Sequence, residues 1–417
     1  TILSKWLKVM KNAKLNTFIT LVGKVAILLL NFAIVVLTTR FWGAAGRGVI
    51  SLFVADLGLI AIFANVFNGS SVSYYIQRVS ASKLGTQAYL WALLIALVGA
   101  LFEFCFKTPL LALLFFAIAC LAACLSFHNA LYIGKQKIKA YNLITVIQPA
   151  LILLLTLLFS FLFPQITYYA YFCAYLLATF ITLGIASRIT RKEIEQVKFQ
   201  WDRGAAKDSF LFGWKTELSS LLQFFNYRLT YYVLGYYLGN ASVGIFSIGV
   251  TLSEAIWILS RSISLVQYSQ VLQEGNTQTA RRHTARAALF SAIGSLLCLV
   301  VALLLPVQLY TFIFGEEFAS VKIILWILSP GILAIAISNV YGNYFSATKQ
   351  LNVLIIKSLA GVLATAVLAV VLVPTLEIQG ACIVNSISYL LSSTILILAY
   401  LLGGRKMANR REEDECE

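Results

Sequence analysis

The sequence predicts an all-α integral membrane protein with twelve transmembrane helices in two six-helix lobes. Three observations predict it. Of 417 residues, 60% are hydrophobic and only 12% charged, about half the charged share of an ordinary soluble domain. Apolar runs of about 20 residues, the length a helix needs to cross a bilayer, recur along the chain. The two halves carry matching short segments, which signals an internal duplication. The same composition excludes a disordered chain and a simple soluble enzyme. A net charge of +15 would suggest nucleic acid in a soluble chain. In a membrane protein Lys and Arg collect in cytoplasmic loops instead, so no nucleic-acid partner is expected.

Residues 1–14 set Trp6, Leu7 and Met10 among Lys5, Lys8, Lys11 and Lys14, which predicts an interfacial amphipathic helix. The N-lobe, residues 15–190, holds spans at 15–41, 48–76, 84–106, 109–133, 140–163 and 167–189. The first run is too long for a cleavable signal and lacks a small-residue cleavage site. A polar cytoplasmic linker follows at 191–208. The C-lobe, residues 209–402, holds spans at 209–237, 242–268, 284–309, 322–347, 352–374 and 378–402. Residues 403–417 form a charged cytoplasmic tail whose acidic end, Glu412 to Glu417, reads as solvated and disordered.

Twelve spans put both termini on one side. With the N-terminus inside, about six times as many Lys and Arg fall in inner segments as at outer ends, so both termini are predicted cytoplasmic. The halves align twice. The segment Gly43 to Ser51 matches Gly239 to Ser247 at a shift of 196, sharing Gly, Ala, Gly and Ser. Asn129, Lys135 and Gln136 match Asn343, Lys349 and Gln350 at a shift of 214. Six spans return the chain to the same side, so the repeat is parallel. Such a duplication predicts a site between the lobes and transport by alternating access.

Ionisable side chains at membrane depth cost several kcal/mol unless they are paired or face water. Seven stand out: Lys24, Asp56, Lys215, Glu217, Arg228, Glu254 and Arg261. Thr17, Lys24, Asn31 and Thr38 recur every seven residues, one stripe on the first span. Glu217 and Arg228 are eleven apart and Glu254 and Arg261 seven apart, each pair on one face. One reading is a water-filled cationic cavity. Buried acids drift toward neutrality while Arg stays charged. Arg also grips phosphate in bidentate fashion. Arg228 and Arg261, helped by Lys24, Lys215 and Asn31, then suit a diphosphate. The other reading is that Glu217 or Glu254 ties helices together by pairing with a neighbouring base. Asp56, Glu254 and Glu217 are candidate carriers of H⁺ or Na⁺ for coupling. Arg40 and Arg47 lie near the outer mouth, facing the cavity exit or lipid headgroups. Tyr231 and Tyr232 sit at the same end, as an interfacial belt or as sugar-stacking surfaces.

The seven Cys fit small apolar packing roles rather than a disulfide framework. His128 and His283 are single in the sequence, with no partner at metal spacing. No Walker A loop, catalytic triad or metal constellation occurs, so no cofactor and no enzymatic activity are expected.

Several segments resemble a known family. Arg40-Phe41-Trp42-Gly43 followed by Gly46 and Gly48 resembles the opening of bacterial polysaccharide flippases. Tyr227-Arg228, leading through Leu234-Gly235 to Val243-Gly244-Ile245-Phe246-Ser247, does so too. Phe314-Gly315-Glu316-Glu317-Phe318 with Leu328-Ser329-Pro330-Gly331 is similar to a recurring segment of that family's C-terminal half. This is the polysaccharide transporter, or O-antigen translocase, branch of the superfamily that includes multidrug extruders and the lipid II flippase. The resemblance implies two six-helix bundles in a V shape in the cytoplasmic (inner) membrane of a bacterium or archaeon. It implies a flippase carrying a polyprenyl-diphosphate-linked oligosaccharide from inner to outer leaflet, with membrane lipids, a glycan polymerase and glycosyltransferases as partners. The lipid II flippase would bring two further spans, which this sequence lacks. A multidrug or organic-cation antiporter of the same superfamily is the first rival, and the prominence of Arg argues against it. A non-transporting scaffold for a glycan-assembly complex is the second, and the intramembrane charges argue against that. A membrane glycosyltransferase would need an acidic cluster in an outer loop, where only Glu316 and Glu317 stand together.

Overall fold

The computed structural model describes residue 20 and residues 22–274 and 276–403 in full, and the backbone alone for 2–19, 21 and 404–416. The side chains of the amphipathic segment 1–14 and of the tail after Gly403, like Thr17, lie outside the described residues. Among the described residues the regular structure is all helical. The helices are α1 (Ile2–Asn68), α2 (Ser70–Tyr75), α3 (Ala81–Phe106), α4 (Pro109–Gly134), α5 (Ile138–Leu162), α6 (Tyr169–Glu193), α7 (Arg203–Gln273), α8 (Thr277–Leu304), α9 (Val307–Phe314), α10 (Val321–Ala347) and α11 (Leu351–Cys416). Among the described residues nine helical segments are long and apolar enough to cross a membrane.

Three of these nine, within α1, α7 and α11, each consist of two helices joined at a break. The breaks fall at Gly43, Gly239 and Glu377, inside the gaps the sequence predicts between spans. Gly43 (φ 60°) and Gly239 (φ 76°) adopt the left-handed region that glycine enters at little cost. They stand 196 residues apart, so the repeat read from the sequence recurs in the backbone. The second match needs correcting by one residue. The turns after α4 and α10 have left-handed Gln136 (φ 56°) and Lys349 (φ 59°). Their amides bond Ile133 O and Ser346 O, and the next amides bond Tyr132 O and Phe345 O. That is the same helix-ending turn at a shift of 213. The identities at 214 align side chains one position past the backbone.

The chain divides into two compact units. The first comprises Thr1–Trp42 and Val49–Leu221, the second Gly43–Gly48 and Leu222–Glu417. In the first unit α3 turns Ala88, Ala92, Ala96 and Gly99 inward. Small residues four apart let the helices approach closely, as in membrane bundles. Ile60 and Phe115 fill the groove beside Gly99. Around Phe53, with Phe115 and Phe172 at ring distances of 5.4 and 4.3 Å, an aromatic core closes α1, α4 and α6 together. The opposite face of α3 exposes Leu90, Leu94, Leu97, Leu101 and Phe102. An apolar face turned outward is the inverse of a soluble helix and suits lipid. His128 is not alone, as its sequence suggests. It is enclosed by Tyr89 Oη (3.0 Å), Thr190 Oγ1 (2.8 Å) and Ser187 Oγ (3.2 Å), a polar knot between α3, α4 and α6.

The polar segment between α6 and α7 is strapped to the start of α3. The Ser82 amide donates to Glu195, Lys198 N donates to Ser82 Oγ and Gln200 N to Thr86 Oγ1. Lys83 Nζ lies 2.8 Å from Asp202. In the second unit the segment Gly43–Gly48 runs against the start of the helix after Gly239. A Cβ on Gly48 would fall 1.7 Å from Asn240 O, and one on Gly244 2.0 Å from Ala44 O. These two contacts are equivalent under the shift of 196. Glu317, considered above as half of an outer acidic cluster, accepts the Ala44 amide and so caps the break at Gly43.

Candidate functional site

In the second unit α7 carries Arg228 and Tyr231 one turn apart on one face, before its break. Glu254 approaches from the helix after the break. Arg228 Nη2 donates to Glu254 Oε1 at 2.8 Å, and Nη1 donates to Tyr231 Oη at 3.2 Å. The guanidinium also lies 5.1 Å from the centre of the Tyr231 ring, within cation–π reach. Both members of the ion pair remain accessible, with side-chain exposures of 26% for Arg228 and 34% for Glu254. Tyr231 is buried beneath the arginine. Beside them Tyr227, Trp257 and Tyr389 form a triangle with ring distances of 5.5 to 5.8 Å. The Trp257 Nε1 proton bonds Ile332 O, which fixes the indole. The sequence left open whether Glu254 stands in a cavity or pairs with a base; it pairs with Arg228, and both are half-buried.

Behind this face lies a buried polar seam. Ser388 Oγ donates to Asn226 Oδ1 at 2.7 Å, Thr365 Oγ1 to Ser388 Oγ at 2.8 Å, and Thr230 Oγ1 to Asn385 Oδ1 at 2.6 Å. It joins the first half of α7 to both halves of α11 and sets the register of Arg228. Sequence reading missed it because Ser, Thr and Asn are unremarkable singly. Their four-residue spacing, Asn226 with Thr230 and Ser388 with Ser392, was the available signal.

The remaining candidates separate. Arg261 is exposed two turns beyond Glu254 and joins no ion pair among the described residues. Lys24, Asn31 and Lys215 are exposed. Thr38, expected on the same stripe as Lys24 and Asn31, is fully buried and donates to Val35 O, so the stripe ends inside the first unit. Glu217 lies in the first unit and Arg228, eleven residues later in the sequence, in the second. Arg40 is exposed; Arg47 is half-buried, its Nε donating to Ser247 Oγ at 3.3 Å. Tyr232 is half-buried.

Asp56, in the first unit, sits in a cluster that the sequence concealed. Lys107 Nζ lies 2.6 Å from Asp56 Oδ2 and 2.8 Å from Glu103 Oε2. Glu103 is almost fully buried, with 2% of its side chain exposed. Its place near a helix end kept it off the list of deep charges, although its four-residue spacing from Lys107 was a readable signal. Among the described residues no three His, Cys, Asp or Glu gather as a metal site.

The profile of a family described as polysaccharide biosynthesis protein matches residues 13–268, more than half of the chain. The chain belongs to that family. The motifs from Arg40 to Ser247 that suggested this branch lie inside the matched region. No curated protein matches this family member. Among solved structures it is similar to the lipid II flippase MurJ in an inward closed conformation, at a TM-score of 0.72 and 14% identity over 92% of this chain and 87% of that one. It is similar to a point mutant of the Vibrio cholerae MATE transporter VcmN, at 0.65 and 16% identity over 95% and 97%. The MATE multidrug transporter DinF-BH, solved as a complex, gives 0.66 and 15% identity over 93% and 94%. This polysaccharide biosynthesis protein is a multi-pass membrane protein with the fold of the MOP-superfamily transporters.

Proposed function

We propose that the chain is a flippase that moves a polyprenyl-diphosphate-linked oligosaccharide, an O-antigen, capsule or similar repeat unit, from the inner to the outer leaflet by alternating access. It spans the bacterial or archaeal cytoplasmic membrane twelve times with both termini inside, each broken helix crossing twice. Residues 15–190 and 209–402 are its duplicated lobes. One observation carries the reading: Arg228 is held at a half-open surface by a single carboxylate, in a family of polysaccharide biosynthesis and on a fold shared with a named lipid II flippase. An arginine so placed offers its planar fork to a diphosphate once Glu254 swings away. Arg261 and Lys24 add positive potential. Inside-negative membrane potential favours outward movement of the anion by about 2.3 kcal/mol per charge per 100 mV. Glu254 neutralises Arg228, so H⁺ or Na⁺ binding there releases that base, and this is the proposed coupling step; Asp56, which shares Lys107 with Glu103, and Glu217 are further candidates. A glycan polymerase and glycosyltransferases are the proposed partners.

The test is leaflet exchange of a fluorescent polyprenyl-diphosphate oligosaccharide in proteoliposomes. Arg228→Ala and Arg261→Ala should each slow exchange about tenfold or more, the loss expected for a charge-assisted contact to phosphate. The half-buried Tyr227, backed by the buried Trp257 and Tyr389, favours a second reading, an organic-cation extruder, because aromatic faces attract cations. Movement of a cationic dye without the glycolipid would establish that reading instead.

A further inference from the structure

The first unit contains a cavity of different chemistry from the arginine site. It measures about 680 Å³, within the range of ligand pockets. It lies between the end of α1, α2, the end of α4, Tyr141 at the start of α5 and the first turns of α7. Every lining residue belongs to the first unit. None is Lys, Arg or His; the nearby guanidinium of Arg78 lies 5.5 Å from the centre of the Tyr74 ring.

What it offers are amides, hydroxyls, one carboxylate and aromatic faces. Asn65 Oδ1 accepts from Ser126 Oγ at 2.7 Å, which leaves the Asn65 amide nitrogen without a partner among the described residues. Asn129 Oδ1 is buried and has no partner there either. A buried amide oxygen is costly unless something donates to it, so this position calls for a donor from within the cavity. Ser70 Oγ and Thr216 Oγ1 meet at 2.8 Å along the wall. The half-buried Glu217 joins no ion pair among the described residues. The Tyr74 and Phe212 rings stack face to face at 4.8 Å and 16°, and both residues line the cavity as its aromatic side. Neutral donors and acceptors beside an aromatic plane match a sugar ring, whose hydroxyls need paired partners and whose C–H faces need an apolar surface.

We propose that this cavity binds the saccharide portion of the substrate, and that Glu217 makes it select neutral or amino sugars over acidic ones. Asn65 and Asn129 pair with ring hydroxyls or an N-acetyl group, and the Tyr74–Phe212 side takes the ring face. Glu217 accepts from hydroxyls or an amino group. A uronic acid would bring a second carboxylate beside Glu217 with no Lys, Arg or His among the lining residues, and Arg78 is held against the Tyr74 ring, so such sugars are disfavoured at Glu217. The proposal rests on the flippase reading for its biological meaning, but saccharide binding can be measured without transport.

The experiment uses full-length protein in detergent and saturation-transfer NMR with two lipid-free probes, N,N′-diacetylchitobiose and a glucuronic-acid disaccharide. Wild type should bind the neutral probe saturably and the acidic one at least tenfold more weakly. Glu217→Gln should bring the two within about threefold, and Asn129→Leu should weaken the neutral probe about tenfold. Arg228→Ala should leave both unchanged while slowing lipid-linked exchange. Thermal melting checks that each variant is folded, and Ser126→Ala serves where Asn129→Leu is not. Absence of saturable binding, or binding that none of the cavity variants alters, overturns the subsite. Preserved saccharide selectivity with no leaflet exchange in wild type would keep the subsite and reject the flippase; exchange without saccharide binding would do the reverse.

Discussion

Two ion pairs, one in each unit, look alike in sequence and differ in what surrounds them. In the first unit Lys107, as exposed as Arg228 at 26%, lies between Asp56 and Glu103, whose side chains are only 12% and 2% exposed. Two carboxylates depend on one ammonium, in a setting where an uncompensated charge is expensive. In the second unit Arg228 meets one acid, both partners are half-buried, and Tyr231 with the neighbouring Trp257 and Tyr389 is buried behind them. The first arrangement ties α1 to the end of α3. The second leaves a half-buried base with one carboxylate partner, the arrangement that the proposed flippase reading uses as a phosphate ligand. The depth of the acids and their number per base, rather than the presence of charge, distinguish the two pairs.

The largest expected effect comes from removing the shared base. Lys107→Met should destabilise the protein by about 3–5 kcal/mol, as for a broken buried pair, read as a marked fall in the thermal midpoint in detergent. Arg228→Met should cost less, because it strands one carboxylate, 34% exposed, rather than two that are 12% and 2% exposed. Equal losses would erase the distinction. Glu103→Gln and Asp56→Asn each leave one acid for Lys107, so each should cost far less than Lys107→Met.

Ion dependence of transport sharpens the contrast. Glu254→Gln should abolish the dependence of leaflet exchange on H⁺ or Na⁺ if the Arg228–Glu254 pair is the coupling group. Asp56→Asn should do so if coupling runs through the buried cluster. Retention of full ion dependence in both variants would leave neither pair in that role.

The smallest effect belongs to a third, surface pair. The hydrogen bond from Lys83, with help from the Ala205 amide, holds the Asp202 carboxyl below its usual range. A depressed folded-state pKa adds stability above the unfolded value, near pH 4, and loses it as pH falls through the folded value. Asp202→Asn should therefore lower the melting temperature slightly at pH 7 and not at all once wild-type Asp202 is protonated. The solvent-screened setting keeps the difference small.

The architecture was largely legible because membrane helices announce themselves by length and because duplication writes the same break twice, at Gly43 and Gly239. The break at Glu377 has no glycine; only the polar gap after Val373-Pro374 marked it. The one-residue error in the second repeat arose because Lys and Gln identities aligned where the backbone turn did not. Arg228 and Glu254 were readable as charges in apolar runs, but their mutual contact was not, since 26 residues and a helix break separate them. Glu103 escaped because it sits near a helix end, where a charge looks ordinary. The cavity around Asn65, Ser126 and Asn129 draws on five helices and single polar residues, so no local pattern carries it.

Binding of a short-chain polyprenyl diphosphate to the full-length protein, followed by calorimetry in wild type, Glu254→Gln and Arg228→Ala, tests most directly whether Arg228 is an exchangeable phosphate ligand. The account predicts about tenfold tighter binding in Glu254→Gln, where the competing carboxylate is neutral, and at least tenfold weaker binding in Arg228→Ala. Equal weakening in both variants would contradict it and make the Arg228–Glu254 pair a structural tie like that of Lys107.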